Sequence, residues 1–167
     1  KGTYFYPYGN SYDGEWKNDK KEGRGIYIYQ FDERYEGEWK NDLKEGQGSY
    51  ADAKGNTYVG EWKAGEMEGD GLYTFKSGNT YKGMFLNGLK HGHGTFTYIN
   101  GDTYDGNWKN DTKDGQGKLT FGNGEKYVGG FNNNKMSGQG IYTFKNGDTY
   151  DGNWKNDKRY GQGTLIY

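Results

Sequence analysis

His91 and His93 are the only two histidines of the chain. Two apart on a strand, they point to one side and offer part of a metal's ligand set. The rest of the set is missing. There is no cysteine, and the equivalent positions elsewhere carry Glu22, Glu45, Asp114, Arg24 and Gln116, so the pair reads as exposed and ordinary and no metal is expected. Gly-x-Gly recurs as GRG, GQG, GDG and GHG but never extends to G-x-G-x-x-G or to a P-loop, which leaves no phosphate cradle and no cofactor. Asn110-Asp111-Thr112 is a formal glycosylation acceptor that falls in a tight turn, with no secretory signal to expose it. The carboxylates recur at fixed spacing, so no pair stands apart as general acid and base. The chain is therefore expected not to be an enzyme, and its function to be distributed along its length.

The elements that hold these residues must be unusual. Of 167 residues, 30% are hydrophobic and 19% aromatic, with 18 Tyr, 8 Phe and 5 Trp against 32 Gly. The apolar surface thus sits in rings, enough of it to offset the entropy of ordering the chain. A formal charge of −1 from 22 basic and 23 acidic residues provides no global field for nucleic acid. The absence of cysteine fits a reducing, cytoplasmic setting. No apolar run reaches membrane-spanning length and no signal peptide is visible. Beginning at Lys1 and ending within a repeat, the chain is expected to be a piece of something longer.

Tyrosines 12, 35, 58, 81, 104, 127 and 150 are 23 residues apart throughout. Counting each Tyr as position 1, position 3 is always Gly and position 5 a large ring: Trp16, Trp39, Trp62, Phe85, Trp108, Phe131, Trp154. Positions 12 and 14 are also always Gly. Such regularity means seven repeats from residue 12 to 167, the last truncated, with 1–11 as the end of a preceding one. Positions 7 and 8, such as Asn18-Asp19, Asn87-Gly88, Ala64-Gly65 and Asn133-Asn134, read as two-residue hairpin turns, and positions 20 to 22, such as Asn100-Gly101-Asp102, as a second turn with Gly in a bulge. The intervening segments are rich in Tyr, Trp, Phe and Thr, and Pro7 is the only proline. The fold expected is all-β: an elongated, single-layer antiparallel meander of 23-residue β-hairpin repeats, about fifteen strands and on the order of 70 Å long.

Two-residue hairpins set position 1 opposite 14, 3 opposite 12 and 5 opposite 10, and the longer loop then sets 18 beside the next Tyr and 16 beside the next position-3 Gly. In this register Tyr104 covers Gly117, Phe96 covers Gly106, and Trp108 lies between Gly94 and Lys113. Rings over bare glycine backbone let one sheet bury area without a second layer, and basic residues at position 10 (Lys21, Lys44, Lys90, Lys113, Arg159) add cation–π contacts. The opposite face, with Asp13, Glu15 and Lys17, is expected to be solvated.

Tyr-x-Gly-x-Trp-x-Asn-Asp/Gly followed by Gly-x-Gly and an aromatic pair resembles the MORN repeat (membrane occupation and recognition nexus), over essentially the whole chain. The resemblance implies a curved sheet with an aromatic groove that mainly binds proteins, in settings that include ciliary axonemes and the cytoskeleton, or beside catalytic domains. Asp32, in place of the loop Gly, and Asp52, in place of a ring at position 18, depart from the pattern. The expected function is a noncatalytic scaffold holding a helical or extended segment of a protein partner. Tyr58, Trp62, Tyr73, Phe75, Tyr81, Phe85, Phe96, Tyr98, Tyr104 and Trp108 are the candidate groove. Two alternatives differ in class. One is a peripheral membrane module using Lys17, Lys40, Lys63, Lys109 and Lys155, whose charge neighbouring acids largely cancel; the other is the targeting module of a larger enzyme. Open sheet edges would favour end-to-end or dimeric association.

Overall fold

Asn110 and Asp111 both take left-handed backbone conformations, φ 47° and 66°, as do Asn87 and Gly88 at 49° and 78°. Two consecutive positive φ values make the type I′ turn whose twist matches the strands it joins. Ala64 adopts the same geometry at φ 50° without an Asn side chain, at a cost of about 1 kcal/mol. The second turn is pinned by Tyr98 N–H donating to Asp102 O (2.9 Å) and Gly101 N–H to Tyr98 O (3.0 Å), with Gly101 at φ 89°. It therefore spans positions 19 to 21, one residue earlier than the sequence reading. In the first repeat Asp32 takes the glycine's place at φ 62°, behind Phe31 at 60°, and the segment Gln30–Asp32 becomes a short 3-10 turn, as does Pro7–Gly9.

In this computed structural model, which describes all residues from Lys1 to Tyr167, these turns connect fifteen strands: β1 (Gly2–Phe5), β2 (Ser11–Lys17), β3 (Lys20–Ile28), β4 (Arg34–Lys40), β5 (Leu43–Ala51), β6 (Thr57–Lys63), β7 (Glu66–Thr74), β8 (Thr80–Leu86), β9 (Leu89–Thr97), β10 (Thr103–Lys109), β11 (Thr112–Thr120), β12 (Lys126–Asn132), β13 (Lys135–Thr143), β14 (Thr149–Lys155) and β15 (Lys158–Ile166). They follow one another in chain order as one antiparallel meander. The chain divides into two compact units, Lys1–Gly78 with Phe85–Gly88, and Asn79–Met84 with Leu89–Tyr167.

The register differs from that read in the sequence. Within a hairpin, Tyr104 stands opposite Leu119 and Gly106 opposite Gly117. Trp108 faces Lys113 as expected, with a bulge between Gly106 and Trp108. Toward the preceding strand, Tyr104 faces Phe96, Gly106 faces Gly94, and Trp108 faces Gly92. Phe96 therefore does not cover Gly106. The bulge was missed because it sets three residues of one strand (positions 11 to 13) against one of the other (position 4), a mismatch that simple alternation cannot encode. Glycines thereby meet glycines across the strands, and the ring that covers them comes from two positions away along the same strand. A Cβ added at Gly106 would lie 2.5 Å from Gly117 Cα and 2.7 Å from Tyr104 Oη; one at Gly117 would lie 2.6 Å from both Cε2 and Oη of the same ring. Tyr104 covers Gly117 as anticipated.

Candidate functional site, the ringed face

At the bulge the position-1 tyrosine takes over the carbonyl of the position-4 residue. Tyr12, Tyr35 and Tyr58 donate to the carbonyls of Glu15, Glu38 and Glu61 at 2.9 to 3.0 Å in the first unit. In the second unit Tyr81, Tyr104 and Tyr127 donate to Met84, Asn107 and Gly130 at 2.8 to 3.0 Å. This is why position 1 is Tyr and never Phe. The indole at position 5 donates to the position-14 glycine carbonyl of the repeat before: Trp39 to Gly25, Trp62 to Gly48, Trp108 to Gly94, Trp154 to Gly140. Burial drives the hydroxyls' acidity down: the Tyr12 and Tyr127 phenols are pushed up to about 12, first by desolvation and then by nearby Glu15 and Asp157 respectively, and those of Tyr35, Tyr58 and Tyr104 higher still, again chiefly by desolvation.

These rings form an edge-to-face zipper in each unit. In the first, Tyr35 meets Trp39 at 5.0 Å and Trp62 at 5.2 Å, and Tyr58 meets Trp62 at 5.2 Å and Phe85 at 5.1 Å. In the second, Tyr104 meets Trp108 at 5.2 Å and Phe131 at 4.9 Å, and Tyr127 meets Phe131 and Trp154 at 5.2 Å. Each T-shaped pair adds about 0.5–1.5 kcal/mol beyond its buried area. Here lies the core.

The ten candidate groove residues accordingly separate into two groups. Tyr58, Tyr81 and Tyr104 are fully buried, and Trp62, Phe85, Phe96 and Trp108 are between 4% and 9% exposed, so they form the floor. Tyr73, Phe75 and Tyr98 are half-buried and present ring surface to solvent. Tyr73 and Phe75 pair at 4.6 Å, and Phe96 and Tyr98 at 4.5 Å. The same pairing of positions 16 and 18 occurs at Tyr27–Tyr29 (4.4 Å) and Tyr142–Phe144 (4.9 Å), residues outside the candidate set although the ring pattern marks them equally. Asp52, at position 18 of the second repeat, builds a turn instead, accepting from Lys54 N–H and Asn56 N–H at 2.9 and 2.8 Å.

Cations stand among the rings. Lys44 Nζ lies 4.3 Å from the Tyr50 centroid and 4.6 Å from that of Trp62, and burial lowers its pKa. Lys21 and Lys90 sit in the same place but are ion-paired, to Asp42 at 3.5 Å and Asp111 at 2.7 Å. The acid belongs to position 8 of the next repeat. Where Gly65 or Asn134 stands there instead, Lys44 and Lys113 lack that acid, a difference that the turn residues already spell out in sequence, and Lys44 feels Glu33 and Glu66 without an ion pair to either.

On the other face His93 Nε2 lies 3.4 Å from Asp105 Oδ1, and the buried His91 Nδ1 has no hydrogen bond. No group of three or more His, Cys, Asp and Glu side chains is close enough to hold a metal ion. The position-6 lysines 17, 40, 63, 109 and 155 are exposed on this face. No helix is long and apolar enough to cross a membrane.

The MORN repeat model matches the chain seven times, over residues 12–30, 35–57, 58–80, 81–103, 104–126, 127–149 and 150–167. No curated protein matches it in sequence. Among solved structures it is similar to the SAS-4 (dCPAP) TCP domain of Drosophila melanogaster, solved in complex with a proline-rich motif of Ana2 (dSTIL), at TM-score 0.52 and 15% identity over 98% of this chain and 81% of that one. The TCP10c domain of Drosophila melanogaster Sas-4 matches at TM-score 0.48 and 14% identity, over 98% and 89%. At such identity the likeness is one of fold.

Proposed function

The chain belongs to the MORN-repeat family, and from that premise we propose that it is a noncatalytic protein-binding scaffold whose ringed face holds a segment of a partner polypeptide. The observation that carries this reading is, in each unit, half-buried rings above a buried floor: Tyr73–Phe75 in the first, and in the second Tyr142–Phe144 and Tyr98, which packs on the floor residue Phe96. Rings fixed in this way offer amphipathic contact area with little entropy left to lose, the character of binding hot spots. The Drosophila domain lends support, since a domain of similar fold is there in complex with a proline-rich motif. Each repeat supplies only a fraction of the contact, as in other repeat proteins. Family membership is the ground for assigning the scaffold to a cytoskeletal or axonemal assembly in the cytoplasm, with seven 23-residue repeats over residues 12–167.

A random peptide library selected against the whole chain tests the reading. Selected peptides are expected to lose binding on Tyr73→Ser or Tyr98→Ser and to keep it on Lys109→Glu plus Lys155→Glu, which alter the opposite face. Peptides indifferent to both ring substitutions would defeat the assignment.

A further inference from the structure

Tyr98, Phe121 and Phe144 occupy position 18 in three successive repeats of the second unit, and all three are half-buried. Two strands separate each from the next, because β9 through β15 pair in chain order. At roughly 4.8 Å per strand the rings recur every 9.6 Å or so. A polyproline II helix has three residues per turn and a rise of about 3.1 Å, so it shows the same side every 9.3 Å or so. Over three rings the mismatch is on the order of half an ångström. The alternatives fit less well. An α-helix repeats every 5.4 Å or so, and a β-strand, with a rise of roughly 3.3 Å, turns alternate residues away and so shows opposite sides after three residues.

Charge distinguishes the occupant further. Lys113 Nζ is 5.3 Å from the Tyr98 centroid and 4.9 Å from that of Tyr104, and Arg159 Cζ is 5.2 Å from Phe144 and 4.8 Å from Tyr150. Neither forms an ion pair. Met136 stands at the same position in the repeat between them. The acids near the rings are already engaged: Asp102 accepts from Gly122 N–H at 2.8 Å, Glu125 from the Tyr142 hydroxyl at 2.8 Å, and Asp148 from Asn146 Nδ2 at 2.8 Å. The second unit as a whole has 11 basic and 8 acidic residues. Beside Phe144 a cavity of about 400 Å³ opens between Glu125, Lys145, Asp148, Arg159 and Leu165, in which the two acids face the two cations.

We propose that the second unit binds a proline-rich, acidic segment in the polyproline II conformation, lying across the strands, with one proline per turn on Tyr98, Phe121 and Phe144 and carboxylates opposite Lys113 and Arg159. The two cations are two repeats apart, so the carboxylates fall about six residues apart along the segment. This inference rests on the scaffold reading above and names the class of its partner.

The test uses the whole chain and a fluorescent synthetic peptide with proline at every third residue over three turns and two glutamates six apart, followed by anisotropy. Moving the prolines to every fourth residue at constant composition is expected to weaken binding about tenfold or more, and Phe121→Ser to weaken it about tenfold. Replacing the peptide's glutamates by lysine should abolish binding, and Lys113→Glu plus Arg159→Glu should restore binding of that lysine peptide. Because the charge exchange leaves the rings intact, it remains decisive even if Phe121→Ser disturbs the sheet. Equal affinity for the two proline spacings, or library peptides that bind the rings without proline periodicity, would overturn the inference while leaving the scaffold reading intact. A library with no ring-dependent binder would remove both.

Discussion

The two units build their cores from the same residues and differ in what surrounds them. In the first, position 4 is Glu15, Glu38 and Glu61 and position 11 is Glu22, Glu45 and Glu68; in the second the same positions hold Met84, Asn107, Gly130 and Asn153, and His91, Asp114, Ser137 and Tyr160. The first unit's glutamates are occupied. Glu15 and Glu38 accept the bulge amides of Arg24 and Gln47 at 3.1 and 3.2 Å, and Glu22, Glu45 and Glu68 each accept the amide of the next turn at 3.0 Å. The second unit staples its turns with Asp111, Asn134 and Asp157 alone, which accept from Lys90, Lys113 and Met136. Formal charge follows, −4 from 11 basic and 15 acidic residues in the first and +3 from 11 and 8 in the second. What the contrast teaches is where the fold is constrained. Glycine, Tyr hydroxyl and ring are invariant because backbone passes through their space, whereas charge is free to vary on the face that the rings do not use.

The largest expected effect should fail to tell the units apart. Gly37→Ala in the first unit and Gly106→Ala in the second each place a Cβ 2.5 Å from the Cα of the facing glycine, and both should destabilise their unit by about 3 kcal/mol. Hydrogen exchange resolved along the chain would show protection lost around the substituted repeat; a protected Gly106→Ala chain would mean that the strands have room they are not shown to have. Alkali should act on both units next. Because the buried tyrosines have folded-state pKa values above the ordinary 10, reaching about 12 for Tyr12 and Tyr127, the stability they contribute is complete below pH 10 and is lost as pH rises from 10 toward 12. The last part of the tyrosinate absorbance, that of the buried tyrosines, should appear only together with loss of β-sheet circular dichroism, and ionisation of all 18 tyrosines with the sheet intact would contradict the burial. Removing a single hydroxyl is smaller. Tyr35→Phe and Tyr104→Phe should each cost about 1–2 kcal/mol by orphaning the carbonyls of Glu38 and Asn107, and equally in both units.

The repeat, the turns and the meander could be read from residue types alone, because Asn-Gly and Asn-Asp at fixed spacing dictate the turn and Gly at position 21 its bulge. The register could not. Alternation gives the face of a residue but not its partner, and the bulge around Asn107 shifts the pairing of everything before it in the hairpin. That same shift explains why the ringed site was only partly legible. Position-1 and position-5 rings read in sequence both as cover for the glycines and as candidate groove, and Tyr58 and Trp108 are buried because their polar ends find carbonyls that only the bulge and the glycine strands make available. The ring pairs at positions 16 and 18 are visible as a pattern, and Phe121 and Phe144 lie outside the candidate set because that set spans the central repeats alone.

The smallest expected effect sharpens the comparison most. Glu38→Gln keeps the size of the side chain and an oxygen able to accept from Gln47 N–H, but it removes the charge from that hydrogen bond. A charged acceptor is worth roughly 1 kcal/mol more than a neutral one, and the half-buried site is partly screened, so the loss should be about 0.5 kcal/mol. Glu45 stands directly across the strand pair from Glu38, and relief of that like-charge contact works in the opposite direction by a few tenths of a kcal/mol. The net loss in the first unit should therefore grow with salt, since salt screens the Glu38–Glu45 repulsion that the substitution relieves more than it weakens the direct hydrogen bond from Gln47. Asn107→Asp converts the second unit's neutral residue to the first unit's charge, opposite His93 on the neighbouring strand. If the bulge itself calls for a carboxylate, that change should stabilise the second unit by a similar amount; if its stability is unchanged, the first unit's glutamates serve the charge of its outer face and not the bulge.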